Sequence, residues 1–424
     1  MIKFLFLLII ILSESLINAQ DGNIFLNRDY WKTNPTIEDV KNEIEKGNSV
    51  SELDRYDFDA VSWAILESVD NSTIKEMILM EGNGADKITH DGRSYVFWAA
   101  YKNNIELMNF LISEGTDMRL IDSHGYSLSN FCAVTGQLNT EIYELCIQHG
   151  SILTEEKNND GANALLLIIP FLQDAEMIRY FEGKGLDVSS TDNDGNNAFV
   201  YAARSGNTKM MKHFMDLGMD PKTNNSAALF FAARGMRRKP NGIDVYQYLE
   251  VLGLDLKAVN SDKDNLLHVL ARRSEDSVLL EYLIEKGVGI NDKNNKGETP
   301  IMKAIQSNNH ISLSLLEGNK SDFYVEDLDG NNLWHHAIEH EDKEICFVLL
   351  KHDVELNVMN REGMSPLHLA CMKGTDLEYI SFLIDAGADL KQKTPFNELP
   401  YDLASENELL NKNLDQIKFL KPHE

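Results

Sequence analysis

The chain has little of what would staple it, break it or charge it positively. Only four of its 424 residues are cysteine (Cys132, Cys146, Cys346 and Cys371), which excludes a disulfide-dense scaffold and leaves packing to supply stability. Proline is scarce at nine residues and glycine numbers 26, so neither a collagen-like chain nor a long disordered tract is expected. Cations are also short: 40 Lys and Arg against 67 Asp and Glu leave a net charge of −27. A surface of that sign repels phosphate backbones and anionic lipid headgroups, which disfavours nucleic acid and membrane surfaces as partners. No Gly-rich nucleotide loop and no Gly-x-Ser-x-Gly elbow occurs, so no catalytic residue and no cofactor is expected.

One long apolar run stands out. Phe4 to Leu12 is uninterrupted, follows Lys3, and gives way to a more polar stretch ending in Ala19. That layout predicts a secretory signal peptide cleaved after Ala19, and hence a secreted or periplasmic protein. The run is too short to cross a bilayer as a helix.

The rest of the chain is periodic. A tight turn, a short Ala-rich helix, a break and a second helix rich in Leu, Ile and Met recur from Asp57, Gly92, Gly125, Gly161, Gly195, Asn225, Lys263, Gly297, Gly330, Gly363 and Asn397. Successive starts lie 33 to 36 residues apart, except 30 before Asn225 and 38 after it. The second helices carry apolar residues at i, i+3, i+4 and i+7, as in Ile105–Ser113 and Leu377–Asp385, each followed by a glycine suited to a left-handed cap. Each unit therefore has an apolar face that only a neighbouring unit can bury.

Gly363-Met-Ser-Pro-Leu-His-Leu-Ala-Cys-Met-Lys-Gly374 closely resembles the core motif of the ankyrin-repeat family, and Gly297-Glu-Thr-Pro-Ile-Met-Lys-Ala-Ile305 is similar. The resemblance implies an all-α ankyrin-repeat solenoid of about eleven helix-turn-helix units with short β-hairpin-like turns. The expected organisation is a signal peptide over 1–19, a linker over 20–35, a capping half-repeat over 36–56, repeats over 57–410 and a tail over 411–424. Asp57 and Lys263 stand where the turn glycine is usual and Asn163-Ala164 where Thr-Pro is usual, so altered turns are expected there. Gly235 to Gly242 is an insertion between two helices of one unit.

Ordinary explanations cover the other candidates. His336 and His340 have the i, i+4 spacing of a helical zinc pair, but no third ligand is placed for one. His268, His335 and His368 match the family's structural histidine, which implies a bond to the turn region. The acidic turns before Gly195 and Gly330 lack the residues a calcium loop needs. No metal site is expected. The cysteines fall at packing positions, with a Cys132–Cys146 or Cys346–Cys371 disulfide left open.

In the family, partners bind the turn tips and the ends of the first helices. Carried over by position, those include Tyr101, Lys102, Arg204, Arg234, Arg272 and Arg273 at helix ends and Asp194 and Asp262 at tips. Three consecutive repeats put arginine at one equivalent position, next to the basic insertion Arg237-Arg238-Lys239. The expected function is non-enzymatic binding of a protein partner by a monomer outside the cytoplasm, the partner carrying a mixed, basic or acidic surface. A secreted effector or inhibitor of a foreign protein, and an enzyme or small-ligand binder with a site between repeats, are the rival readings.

Overall fold

The computed structural model describes residues 22–237, 239–410 and 415–422. The segment read as a signal peptide lies outside them, as does Arg238. The described residues form two compact units, divided between Ala198 and Phe199. No strand occurs among the described residues. The hairpin-like character of the turns shows only as isolated bridges, such as Thr89 with Arg93 and Ile121 with Ser127.

In the first unit, a single helix Ile37–Glu45 precedes the helix pairs Ala60–Leu66 and Asn71–Ile78, Tyr95–Tyr101 and Ile105–Ser113, Leu128–Val134 and Thr140–Gln148, and Ala164–Ile168 and Glu176–Gly183. The second unit repeats the pattern from Ala198–Ala203 and Thr208–Asp216 to Pro366–Lys373 and Leu377–Asp385, and adds Pro400–Glu406.

Local chemistry fixes where these helices start. Asn104, Asn139, Asn207, Asn309, Asp276, Asp342 and Asp376 each cap a second helix, their side-chain oxygens accepting backbone N–H groups of the first turn. Ser127, Asn163, Asn265, Asn332 and Ser365 do the same for first helices. Asn163 therefore replaces the missing Thr-Pro without loss of the start, its Oδ1 accepting from Leu166 at 3.0 Å.

The turns are built by one side chain each. Asp122 Oδ1 accepts from the backbone of His124 and Tyr126 at 2.9 and 2.8 Å, and Asp327 Oδ1 from Asp329 and Asn331 at 2.9 Å each. Asn294 and Asn360 repeat the arrangement. Within the second unit, three tips then donate a backbone bond to the tip before: Asn295 to Asp262, Leu328 to Lys296 and Arg361 to Asp329, all at 2.8 Å. The turn residue itself is left-handed, with φ of 75° to 76° at Gly297 and Gly330, a conformation open to glycine at little steric cost. Asp57 and Lys263, where altered turns were expected, hold the same conformation at φ of 62° and 60°. The side-chain anchor of the turn survives there, from Asp54 and Asn260, and imposes the geometry on a residue that disfavours it.

Small residues of the first helices and the apolar stripes of the second make the core. Trp334, Tyr143, Tyr246, Tyr379, Phe97, Phe181 and Phe214 are completely buried. Each such residue contributes roughly 1.5–3 kcal/mol relative to exposure. All four cysteines are buried free thiols, and burial raises the pKa of each.

Two expected boundaries shift. The proposed linker is packed: Ile24–Leu26 and Arg28–Trp31 are helical turns whose Phe25 and Trp31 are fully buried, with Trp31 Nε1 donating to Phe25 O at 2.9 Å. Two large aromatics in a short segment bury too much area to remain a free linker. Likewise Ile417 and Leu420, in the proposed tail, join the core cluster of the second unit beside Leu410.

Candidate partner-binding edge

Arg204, Arg234 and Arg272 sit where first helices end. Arg204 follows Ala198–Ala203, Arg234 closes Thr223–Arg234 and Arg272 caps Leu266–Ala271. The backbone carbonyls at a helix C-terminus carry partial negative charge, so a cation is favoured there. All three belong to the second unit, together with Arg273 and Asp262. Tyr101, Lys102 and Asp194 belong to the first. Lys102 is committed internally, its Nζ donating to Leu66 O at 2.8 Å. Tyr101 is 43% exposed with its ring centroid 6.4 Å from that of Phe131. Asp194 and Asp262 are exposed tip residues, and Asp262 O accepts the bond from Asn295.

The insertion is a built element of the second unit. Gly235 has φ of 60°, and a Cβ there would lie 1.7 Å from Lys239 O, so only glycine fits. Lys239 N donates to Met236 O at 2.9 Å, closing a tight turn. Asn241 Nδ2 then donates to the carbonyls of Arg204 and Ala232 at 3.1 and 3.0 Å, satisfying the ends of two helices at once. Arg204 Nε donates to Gly235 O at 3.1 Å, binding the loop to the preceding repeat. Arg234 lies over the Phe231 ring at 5.6 Å. Arg204, Arg234, Arg237, Lys239 and Arg272 make no ion pair among the described residues.

Repeat six, which carries this loop, also has an unusual turn. Asn224, Asn225 and Ser226 are consecutively left-handed, each costing roughly 1–2 kcal/mol for a residue with a Cβ and less for Asn. The next repeat helps hold them: Asn225 Nδ2 donates to Val259 O at 3.2 Å and Ser226 Oγ accepts from Asp255 N at 3.3 Å.

A buried polar network in repeats eight and nine was not anticipated. Lys303 and His336 occupy one equivalent first-helix position. Lys303 Nζ pairs with Glu298, whose Oε1 accepts from Gln306 Nε2 at 2.8 Å. Gln306 Nε2 lies 3.1 Å from His336 Nδ1, and His336 Nε2 lies 3.2 Å from Asp327 Oδ2. Burial pushes the Glu298 and Asp327 carboxyls up, but is outweighed at Glu298 by bonds from Lys303, Asn294 and Gln306, and at Asp327 by bonds from His336 and Asn331; both are held at about 2. His340 instead donates from Nε2 to Gln306 O at 2.9 Å, so the two histidines spaced like zinc ligands serve different partners.

His335 joins repeats as the resemblance implied. Its Nδ1 accepts from Asn332 N at 3.2 Å and its Nε2 donates to Met364 O, in the next turn, at 3.1 Å. His268 makes the same pair of bonds, to Asn265 N and Glu298 O. Burial lowers the pKa of His335 to about 4 and lowers those of His268 and His368, which keeps the rings neutral and able to accept at Nδ1.

Grooves large enough for a side chain lie on other faces, such as one of about 590 Å³ lined by Ser277, His310, Ile311 and Leu315 along the second helices. Among the described residues no helix is long and apolar enough to cross a membrane.

The architecture defines a protein of stacked helix-turn-helix repeats. A family model for ankyrin repeats (3 copies) matches residues 238–327 and 311–394. An ankyrin repeat protein of fowlpox virus is 31% identical over 132 residues, 30% of this chain and 38% of the viral protein. One from Borreliella burgdorferi is 26% identical over 175 residues, 41% of this chain and 37% of that protein. Alpha-latrocrustotoxin-Lt1a of Latrodectus tredecimguttatus is 28% identical over 129 residues, 30% of this chain and 9% of the toxin. The matches span well under half the length of these relatives. Residues 238–394 of the chain thus match ankyrin repeats, and such repeats are modules for binding other proteins.

Proposed function

We propose that the chain is a non-enzymatic binding protein that acts outside the cytoplasm, released by cleavage after Ala19, and holds a protein partner on the tips and first-helix ends of its second unit. The observation that carries this reading is the repetition of arginine at one equivalent position in three successive repeats, in a chain of net charge −27. Arginine anchors interfaces through its planar fork and apolar stem. The apolar run from Phe4 to Leu12 supports export.

The test is affinity capture from the envelope and medium of the producing cells, with protein starting at Gln20 as bait. A stoichiometric partner retained by the wild type and lost on Arg204→Ser, Arg234→Ser, Arg272→Ser and Arg273→Ser together is the expected result. Absence of any partner over a range of salt concentrations would contradict the reading.

A further inference from the structure

We propose that the basic edge formed by Arg204, Arg234, Arg237, Lys239 and Arg272 is a docking site for an acidic segment of a protein partner. The inference rests on the binding function proposed above and adds the chemistry of what is bound.

Charge is the first argument. Several cations elsewhere in the second unit are paired within the fold, as Lys212 is with Asp216, Lys286 with Glu250, Lys303 with Glu298 and Lys351 with Glu317. Arg204, Arg234, Arg237, Lys239 and Arg272 make no ion pair among the described residues, although 67 carboxylates are available in the sequence. Acidic residues are near: Asp276 caps the helix Ser277–Glu285 by accepting from Leu279 N at 3.0 Å, and Asp244 lies in the first turn of Ile243–Val251. These carboxylates serve helix N-termini, leaving the guanidinium groups for an external anion.

Rigidity is the second. Gly235 is fixed by the approach of Lys239 O, Asn241 by its bonds to helix-end carbonyls, and Arg204 by Gly235 O. The cations are therefore carried on a frame that is already ordered before a partner arrives, which lowers the entropic cost of binding. Phe231, half-buried under Arg234 and 5.2 Å from Tyr201, adds an apolar surface at the same place.

The occupant follows from these features. A cluster of planar donors fits carboxylates through paired hydrogen bonds. The high charge density of a nucleic acid is disfavoured by the net −27 of the chain. An acidic peptide places a few carboxylates against the edge without bringing a long polyanion to the rest of the surface.

Fluorescence anisotropy tests this with three labelled probes of twelve units: an alternating Glu–Ser peptide, an alternating Lys–Ser peptide and a single-stranded DNA. The Glu–Ser peptide is expected to bind, and the variant with Arg234→Ser, Arg237→Ser, Lys239→Ser and Arg272→Ser to bind about tenfold more weakly with an unchanged thermal midpoint. Arg234→Lys with Arg272→Lys keeps the charges and is expected to bind within about threefold of wild type, which guards against a folding defect in the Ser variant. Raising salt from about 50 to about 300 mM is expected to weaken binding, because exposed pairs are screened. Equal binding of the Glu–Ser peptide by wild type and Ser variant, or no binding by either, overturns the inference. Tighter binding of the DNA overturns it in favour of nucleic acid. If a captured partner is retained by the Ser variant, the binding function stands and this site falls.

Discussion

Repeats eight to ten and repeat six are made from the same parts, yet only repeat six departs from the shared geometry. In repeats eight to ten an Asn or Asp anchors each turn, a glycine takes the left-handed position, and the two helices are joined by three residues in repeats eight and ten, Ser307–Asn309 and Gly374–Asp376. In repeat six the turn runs through three left-handed residues that all carry a Cβ, and eight residues, Gly235–Gly242, join the helices. The regular repeats keep the shared turn and cap geometry and hold the stack together. Repeat six breaks several rules and displays unpaired cations. Departures of that kind concentrate where a protein does something other than fold.

Substitutions can separate the two roles. The largest loss is expected in the regular region. Trp334→Ala removes a fully buried ring and its Nε1 bond to Val354 O, for about 3–5 kcal/mol of stability in a urea titration. Lys303→Met leaves Glu298 buried without its cation, both side chains being 8% exposed, and should cost about 3 kcal/mol. Adding Glu298→Gln is expected to recover more than half of that, and a double-mutant cycle showing no coupling would contradict the network. In repeat six, Gly235→Ala forces the loop open against Lys239 O. A loss of about 2 kcal/mol is expected, with partner affinity falling further than the fraction folded.

Acid should act on the regular repeats through their histidines. An imidazole whose folded pKa is depressed stabilises the fold fully above the unfolded value of about 6.5. That contribution disappears as the pH falls through the folded value, about 4 for His335. The urea midpoint is thus expected to fall between about pH 6.5 and 4, and to fall less steeply in His335→Gln. Glu298 and Asp327, held at about 2, keep their contribution until more acidic conditions. The smallest effect has the opposite sign. Asn225→Gly relieves a left-handed residue at φ 48° and is expected to stabilise by about 0.5 kcal/mol; destabilisation would mean that the Asn225 bond to Val259 O outweighs the backbone strain.

Much of the architecture was legible in the sequence because repeats state the same rule many times. The turn glycines, the Asn and Asp caps and the amphipathic second helices each depend on residues within one unit. The roles of His335 and His268 were legible too, from the motif that surrounds them. The Lys303–Glu298–Gln306–His336–Asp327 network was not. Its members are separated by up to one repeat, and each alone reads as a solvated charge. A signal existed in Lys303 and His336 at equivalent positions where Leu369 stands in the next repeat. The packing of Phe25 and Trp31 was hidden for a related reason, since a segment without periodicity reveals its burial only through its neighbours. The arginine edge was legible as a register of residues, whereas the anchoring of its loop by Gly235 and Asn241 required coordinates.

The most direct test of the central claim is hydrogen–deuterium exchange of the protein alone and with its captured partner. The account predicts slowed exchange at the amides of residues 234–242 and 271–276, with the turns of repeats eight to ten unchanged. Protection confined to the second helices Ile243–Val251 and Ser277–Glu285, with none in the loop, would contradict it.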